Sequence, residues 1–309
     1  MTPCKTIVAA TDLSAPAHRA VARAFLLAAG RDAALELVHV IPQGAVDALR
    51  RLLGLGAEPV EQRILEQARD ALRALAETLG PAHGVAASTH LTTGTTLSAI
   101  LDRADALDAD LLVLGAHGEG YLGHLLLGTT AERLLRRTRR SVLMVRQTPH
   151  EAYRRILVPV DFSPWSVPAL RLARAVAPNV ELVLLHAFEA PFEAKLRFAG
   201  VAEEDIARYS AETGREALRR LHEVAEEAGL GPGDARFEVR HGEAPRVILS
   251  QEQELDCDLV ILGKHGQGVM EELLLGSVTK HVLAEATCDV LVASAAVHAR
   301  RAGRMAAWT

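Results

Sequence analysis

The sequence contains the same glycine-rich segment twice, each time directly after a run of aliphatic residues. In both copies the glycines follow the spacing Gly-x2-Gly-x9-Gly, and a small hydroxyl residue comes next. The residues are Gly115, Gly118, Gly128 and Thr129 in the first copy, and Gly263, Gly266, Gly276 and Ser277 in the second. A strand that ends in glycines and then opens a helix points free backbone N–H groups at an anion. The spacing therefore predicts a phosphate-binding loop in each copy.

The repeat extends beyond the glycines to almost the whole chain. Asp12 and Asp161, for example, are separated in sequence by roughly 148 residues, as are the two glycine segments. A repeat of this length indicates two copies of one domain, because solenoid repeats have periods of ~20–50 residues. We expect domains over residues 1–147 and 152–296, followed by a frayed tail over 297–309.

Short apolar runs alternate with stretches of helical periodicity in both copies. The runs predict strands over residues 6–10, 35–41, 85–91, 111–114 and 141–145, and over residues 156–160, 181–186, 235–240, 259–262 and 289–292. Continuous apolar runs are typical of a parallel sheet that is covered on both faces. The alternation predicts an α/β fold with two tandem doubly wound domains. Ligands in such sheets bind at the carboxyl ends of strands, where Asp12 and Asp161 are expected.

Some helix ends can also be predicted from residue type. The clearest helix is expected to have Pro59 near its start and to end at Gly80, because glycine commonly terminates helices. Its apolar side is predicted to consist of Val60, Ile64, Ala68, Leu72, Leu75 and Leu79. Ser14 and Ser163 stand at matching places before the first helix of each copy. Serine is a preferred N-cap residue, so both are predicted to be N-caps.

Composition excludes several classes of protein. Of the 309 residues, 49% are hydrophobic and 24% are charged, which is typical of a globular protein. A formal net charge of -5 and an aromatic content of 4% argue against nucleic-acid binding. We find no apolar run of the ~20 residues that a membrane span needs, and no signal-peptide layout. Three cysteines without CxxC spacing suit a reducing compartment, so we expect a cytoplasmic protein.

Two better-known phosphate-binding loop motifs are excluded by the residues present. Gly118-x-Gly120-x-x-Gly123 satisfies the dinucleotide fingerprint, but Glu271 breaks it in the second copy. Gly123-x4-Gly128 resembles a P-loop, but Thr129 occupies the place of the lysine that a P-loop requires.

Histidine and cysteine leave other readings open. His39 and His186 lie at predicted strand ends and are interpreted as hydrogen-bonded core residues. No HExxH or paired Cys/His spacing supports a metal site. Cys257 and Cys288 fall at the starts of two predicted neighbouring strands, so a redox or metal role stays open there.

Three motifs of this sequence resemble those of the universal stress protein family in its tandem two-domain form. The motifs are the segment Val158–Ser163, a Leu-His pair at the end of the second strand, and the glycine loop, and they extend over residues 3–294. The resemblance implies a five-stranded parallel sheet in the order 3-2-1-4-5 in each domain. In the nucleotide-binding branch of the family, the glycine loop holds the phosphates of ATP. The aspartate after the first strand and backbone near the end of the second strand hold the adenosine.

Carried over position by position, the resemblance implies two sets of nucleotide-binding residues. The second copy would contribute Asp161, Ala187, Gly263, His265, Gly266, Gly276, Ser277 and Val278. The first copy would contribute Asp12, Val40, Gly115, His117, Gly118, Gly128 and Thr129. The first copy departs from the pattern, since Ala10 replaces Pro159 and Ala131 replaces Thr279. For His117 and His265, a hydrogen bond to phosphate and a brace within the loop both remain open.

The expected function is a cytoplasmic stress-response sensor or regulator that binds ATP, ADP or AMP, with or without Mg²⁺. No catalytic residue is assigned, and at most slow hydrolysis is expected, because fast phosphoryl transfer depends on positioned charge. The alternatives are a nucleotide-free interaction scaffold and an adenylyl-transferring enzyme. Expected partners are the nucleotide and an unidentified regulatory protein, with the two domains forming a pseudo-dimer within the chain. A homodimer of the whole chain is compatible with the sequence.

Overall fold

The computed structural model of the chain describes residues 4–54, 57–116, 129–266 and 275–294. The chain divides into an N-terminal unit, which ends at Ala152, and a C-terminal unit, which begins at Tyr153. The predicted tail over residues 297–309 lies outside the described residues.

The N-terminal unit alternates strands and helices as predicted. Its elements are β1 Thr6–Ala10, α1 Ala15–Ala29, β2 Ala34–Pro42, α2 Gln43–Leu53, α3 Ala57–His83, β3 Ala87–Gly94, α4 Thr96–Ala106, β4 Leu111–Gly115, α5 Thr129–Arg137 and β5 Ser141–Val145. The strands pair in parallel in the order β3-β2-β1-β4-β5. The predicted order 3-2-1-4-5 is therefore confirmed in this unit.

The C-terminal unit has the same topology. Its elements are β6 Arg155–Pro159, α6 Ser166–Val176, β7 Glu181–Phe188, α7 Glu193–Phe198, α8 Glu203–Glu227, β8 Arg236–His241, α9 Ala244–Glu254, β9 Leu259–Gly263, α10 Ser277–Glu285 and β10 Asp289–Ala293. The parallel order is β8-β7-β6-β9-β10, which is again 3-2-1-4-5 within the unit. The prediction of an α/β fold with two doubly wound domains is confirmed.

The centre of each sheet is apolar because helices flank it. In the N-terminal unit α1 packs on β1 and β4, while α4 packs on β2 and β3. Side chains in the middle of β1 and β6, such as Ile7 and Leu157, have no solvent exposure. Burial of each such side chain stabilises the fold by about 1.5–3 kcal/mol. Among the helices that the structure describes, none is both long and apolar enough to span a membrane.

The predicted end of α3 at Gly80 is wrong. The helix continues to His83, and Gly84 follows with φ +65°, so the left-handed glycine that ends the helix is Gly84. A side chain on Gly80 would bring its Cβ within 2.8 Å of the Val85 carbonyl oxygen, so close packing explains that glycine. The predicted apolar side is also partly wrong, because Val60 is 38% exposed and Ile64 is 40% exposed.

The two predicted serine caps behave differently. Ser14 is the N-cap of α1, and its side chain accepts a hydrogen bond from the Ala17 amide. Ser163 is not an N-cap, because α6 starts later and has Trp165 in that position. A short turn separates Ser163 from the helix, and its hydroxyl instead accepts a hydrogen bond from the Trp165 amide at 3.3 Å.

His39 and His186 occupy equivalent places in the two units. The Nδ1 atom of His39 lies 2.8 Å from the Thr11 carbonyl oxygen, and that of His186 lies 2.7 Å from the Val160 carbonyl oxygen. Each histidine thus joins the end of the second strand to the chain just after the first strand. Burial lowers the pKa of His186, and the nearby Arg220 guanidinium lowers it further, despite the hydrogen bond to Val160.

The cysteines of the described chain are buried and form no disulfide with one another. Burial raises the pKa of the Cys257 thiol to about 12 and raises the pKa of Cys288 well above its ordinary value. The backbone amide of Cys288 donates to the Glu252 carboxylate at 2.7 Å, which holds the start of β10. Thiols react as thiolates, so these environments favour a structural role over redox chemistry.

The lowered pKa of His186 predicts a pH-dependent component of stability. The unfolded chain takes up a proton near pH 6.5, whereas the folded chain resists protonation until the pH falls further. This contribution is therefore intact above the unfolded pKa and is lost as the pH falls through the folded pKa. In urea titrations from pH 8 to 5, His186→Gln should show a smaller loss of unfolding free energy than the wild type. If the unfolding free energy falls equally in the two proteins between pH 8 and 5, this assignment is contradicted.

The buried thiols predict low reactivity in the native protein. At pH 8 we expect Ellman's reagent to react slowly with the folded chain and to titrate all 3 cysteines once guanidinium unfolds it. Rapid modification of Cys257 or Cys288 in the folded state, located by mass spectrometry, would show that these thiols are accessible.

Candidate functional site

A cleft of about 220 Å³ lies at the carboxyl edge of the C-terminal sheet. It is formed where β6, β7 and β9 end and where α9 and α10 begin. Residues predicted from the second copy line it together: Asp161, Ala187, Gly263, His265, Gly266, Gly276, Ser277 and Val278. The structure thus brings into one pocket residues that are up to 117 positions apart in the sequence, from Asp161 to Val278. Their role in binding stays a prediction.

Asp161 lies in a turn that begins where β6 ends. The next residue, Phe162, has φ +60°, which is the left-handed region that side chains other than glycine seldom occupy. This turn brings two donors to the Asp161 carboxylate: Oδ1 accepts from the Ser163 amide and from the Ser166 hydroxyl, each at 3.0 Å. The carboxylate is therefore held in a defined orientation at the pocket wall.

Two glycines let the chain after β9 lie against this turn. A Cβ at Gly266 would come within 2.9 Å of Asp161 Oδ2, and one at Gly263 would come within 2.8 Å of the Trp165 Cβ. Contacts that short are closer than two non-bonded atoms tolerate, so a side chain at either position would displace the loop or the turn. Both glycines are therefore explained by the close approach of this segment to the Asp161 turn.

Hydrogen bonds at its base join the two ends of the segment 263–276, here called the glycine loop. The Gly276 amide donates to the Lys264 carbonyl at 3.1 Å, and the Thr279 hydroxyl donates to the Gly263 carbonyl at 2.9 Å. The loop therefore leaves β9 and enters α10 at nearly the same place. Residues 267–274 within it lie outside the described residues.

The beginning of α10 supplies donors to the pocket. Gly276 is the N-cap, and no side chain caps the helix by a hydrogen bond among the described residues. The first amides of a helix have no partner within it, so Ser277 and Val278 present N–H groups at the pocket rim. The positive end of the helix dipole reinforces their preference for an anion.

The opposite part of the pocket is apolar. Its lining residues come from the strand ends and from the first turns of α9: Pro159, Leu185, Ala187, Ala244, Ile248 and Leu262. Apart from Ala187 and Pro159, sequence reasoning did not assign these positions to a site. The signal available was the position of Ala244 and Ile248 just after a strand end, marked by Gly242 with φ +138°.

Trp165 and Ser166 also line the pocket, and sequence reasoning missed both. Ser166 follows Asp161 by five positions, and its hydroxyl reaches the carboxylate only because of the intervening turn. The indole of Trp165 lies 4.9 Å from the His265 imidazole, measured between ring centroids, with 54° between their planes. His265 is 5% exposed, so it is a buried polar side chain in a pocket wall.

The corresponding site of the N-terminal unit is described only in part. Asp12 follows β1, and its Oδ1 accepts from the Ser14 amide at 3.0 Å and from the Ser14 hydroxyl at 2.5 Å. Val40 is buried in β2, and Gly115 ends β4. Thr129 begins α5. Predicted residues that lie outside the described ones are His117, Gly118, Gly128 and the side chain of Thr129.

The two units differ in how the aspartate is held. Asp161 is half-buried and accepts from the hydroxyl of Ser166, whereas Asp12 is exposed and accepts from the hydroxyl of Ser14, with Ala17 in the place of Ser166. Ala131 likewise replaces Thr279 and cannot donate to the carbonyl at the end of the preceding strand. The hydrogen bonds that Ser166 and Thr279 donate in the C-terminal site therefore have no equivalent at the aligned positions Ala17 and Ala131.

In chemical terms the C-terminal pocket combines an amide-rich end with an apolar end. Asp161 also lines the pocket and offers a hydrogen-bond acceptor. In the described chain no group of three or more His, Cys, Asp and Glu residues could hold a metal ion.

Comparisons with known proteins all point to one family. The model of the universal stress protein family matches residues 3–146 and again residues 152–294. A universal stress protein of Mycolicibacterium smegmatis is 29% identical over 293 residues, which cover 93% of this chain and 96% of that protein. Universal stress protein A homolog 2 of Coxiella burnetii is 33% identical over 142 residues, which cover 45% of this chain and 93% of that protein.

A solved structure supports the fold. The universal stress protein of Archaeoglobus fulgidus has a TM-score of 0.70 at 19% identity, with 95% of this chain and 99% of that chain covered. At that identity the likeness shows the fold alone. Since the family model matches both halves, this chain belongs to the universal stress protein family and carries two copies of its domain in tandem.

Proposed function

We propose that the C-terminal pocket binds ATP or a related adenine nucleotide and that the protein acts as a sensor or regulator. The observation that carries this proposal is the convergence of Asp161, the glycine loop and the start of α10 on one cleft with an apolar side. A nucleoside phosphate has a matching arrangement, with an anionic end, a ribose that donates hydrogen bonds and a flat apolar base.

The phosphates fit the end formed by the glycine loop and α10. Amides at the start of a helix form a ready anion site, and Ser277 adds a hydroxyl donor. The bond from Thr279 to Gly263 holds the two ends of the loop together, so the donors are arranged before the ligand arrives. Mg²⁺ commonly binds through the phosphates of a nucleotide, so we expect it to enter with ATP.

The adenosine fits the other end. Leu185, Ala244 and Ile248 offer apolar surface for a base, and the backbone of Ala187 is at the edge of the sheet. Asp161 is placed to accept hydrogen bonds from ribose hydroxyls, because its carboxylate already has a fixed orientation. Binding sites of this kind are largely apolar with a few placed polar groups.

Regulation suits this pocket better than rapid catalysis. Asp161 and His265 are the titratable side chains that line the cleft in the described chain. Fast phosphoryl transfer depends on clusters of positioned positive charge and metal ligands. We propose at most slow hydrolysis, and we propose that nucleotide occupancy alters an interaction with a regulatory protein in the cytoplasm.

The N-terminal unit is proposed to bind nucleotide more weakly. Asp12, Val40 and Gly115 occupy the matching positions, but the hydroxyl groups of Ser166 and Thr279 have no counterparts. We retain domain limits of 1–147 and 152–296, an intrachain pseudo-dimer and a further homodimer as parts of this proposal.

Replacement of Asp161 by asparagine tests the ribose contact. Asp161→Asn retains an oxygen for the Ser163 amide and the Ser166 hydroxyl but loses the charge. We expect ATP affinity in the C-terminal site to fall by roughly tenfold or more, because hydrogen bonds to charged groups contribute about 1.5–3 kcal/mol. Isothermal titration calorimetry measures the affinity, and Asp12→Asn is the matched variant in the other unit.

The outcomes separate the possible functions. Saturable ATP binding whose higher-affinity site is weakened by Asp161→Asn and left intact by Asp12→Asn supports the proposal for the C-terminal pocket. A folded wild-type protein that binds no nucleotide would favour an interaction scaffold instead. ATP-dependent exchange of pyrophosphate would favour an adenylyl-transferring enzyme.

Replacement of Gly266 by alanine tests the contact between the loop and the Asp161 turn. Because the new methyl would lie 2.9 Å from Asp161 Oδ2, we expect ATP affinity to fall at least tenfold. The variant should remain folded in circular dichroism, since the groups that must shift lie at the pocket. Gly44→Ala is the control, because a Cβ there meets nothing within 4 Å. Wild-type affinity in Gly266→Ala would show that the approach is not required.

A further inference from the structure

Trp165 occupies a place in the C-terminal pocket that no comparison of motifs indicates. It precedes the first residue of α6, and its Cβ lies against the position where a side chain on Gly263 would start. Its ring reaches the imidazole of His265 at a centroid distance of 4.9 Å. One side chain from the Asp161 turn therefore contacts both the first residue of the glycine loop and the histidine within it.

His265 belongs to the end of the pocket where the amides gather. It lines the cleft together with Gly266, Gly276 and Ser277, and it is 5% exposed. An imidazole at this position has an N–H that can donate a hydrogen bond to an anion. Its usefulness depends on its orientation, which the neighbouring ring restricts.

We propose that Trp165 is a positioning residue for phosphate recognition, acting through His265. The indole restricts the rotation of the imidazole, so that His265 donates a hydrogen bond to a phosphate oxygen of the bound nucleotide. This inference rests on the proposed nucleotide binding and adds one side-chain contact by which the pocket distinguishes a nucleotide from a nucleoside.

The sequence of the N-terminal unit has no tryptophan at the equivalent position. Pro16 follows Asp12 by the same four positions that separate Trp165 from Asp161, and it has no ring that could pack as an indole does. Trp165 is thus a feature of one site and not of the repeat. A difference in phosphate recognition between the two units follows from it.

The test compares a ligand that has phosphates with one that lacks them. ADP and adenosine are titrated calorimetrically into the wild type, Trp165→Ala, Trp165→Phe and His265→Ala, each verified as folded by circular dichroism. Trp165→Ala should lower ADP affinity about 3- to 10-fold, the cost of immobilising one side chain on binding. Adenosine affinity should change less than about twofold, and Trp165→Phe should restore ADP affinity, because a ring is again present.

A double variant isolates the route through His265. In the His265→Ala background, Trp165→Ala should have no further effect on ADP affinity, because residues that act through one contact are non-additive. Phe198→Ala is the control for loss of an aromatic ring, since Phe198 is 96% exposed and does not line the pocket. A Trp308→Phe background leaves Trp165 as the single tryptophan, whose fluorescence should respond to ADP more than to adenosine.

The results distinguish failure of this inference from failure of the proposed function. If the wild type binds neither ADP nor adenosine, nucleotide binding itself is wrong. If Trp165→Ala weakens both ligands equally, the indole shapes the pocket and does not position a phosphate contact. If Trp165→Ala lowers ADP affinity equally in the wild-type and the His265→Ala backgrounds, the indole does not act through the imidazole. Either of the last two results overturns this inference while nucleotide binding stands.

Discussion

The C-terminal pocket depends on how closely the glycine loop approaches the Asp161 turn. At Gly266 the loop lies next to the Asp161 carboxylate, and at Gly263 it lies next to Trp165. Two glycines make this possible, because any Cβ would occupy the space that the turn fills. The Thr279 hydroxyl then fastens the start of α10 to the end of β9. The acceptor on Asp161, the imidazole of the loop and the helix amides consequently face one small volume.

The doubly wound topology explains why these parts meet at all. In a parallel sheet the carboxyl ends of all strands lie at one edge, so segments distant in sequence become neighbours there. The turn after β6, the end of β7 and the loop after β9 are such segments. The same topology occurs in the N-terminal unit, but there the Asp12 carboxylate accepts from Ser14, and Ala17 stands where the C-terminal unit has Ser166. Shared topology has therefore not kept the side chains around the two aspartates the same.

The junction before the last strand shows the same divergence. In the N-terminal unit Arg140 is buried and donates to Asp105, Asp108 and the Ala109 carbonyl. In the C-terminal unit the Glu252 carboxylate accepts from the backbone amides of Thr287 and Cys288. Burying a charge is costly unless it is hydrogen-bonded, and the charged group at this junction has opposite sign in the two units. A common backbone thus allows different polar solutions at one place.

The sequence by itself determined the tandem α/β architecture, because periodic apolar runs and repeated glycines depend only on local spacing. It also identified Asp161 and the glycines as candidates, since a strand that ends in such residues is a local pattern. The tertiary structure decided what local spacing does not contain. It ended α3 at Gly84 and made Ser163 part of a turn, because the positive φ values of Gly84 and Phe162 redirect the chain. It brought Trp165 and Ile248 to the pocket because contacts across the sheet edge depend on strand order.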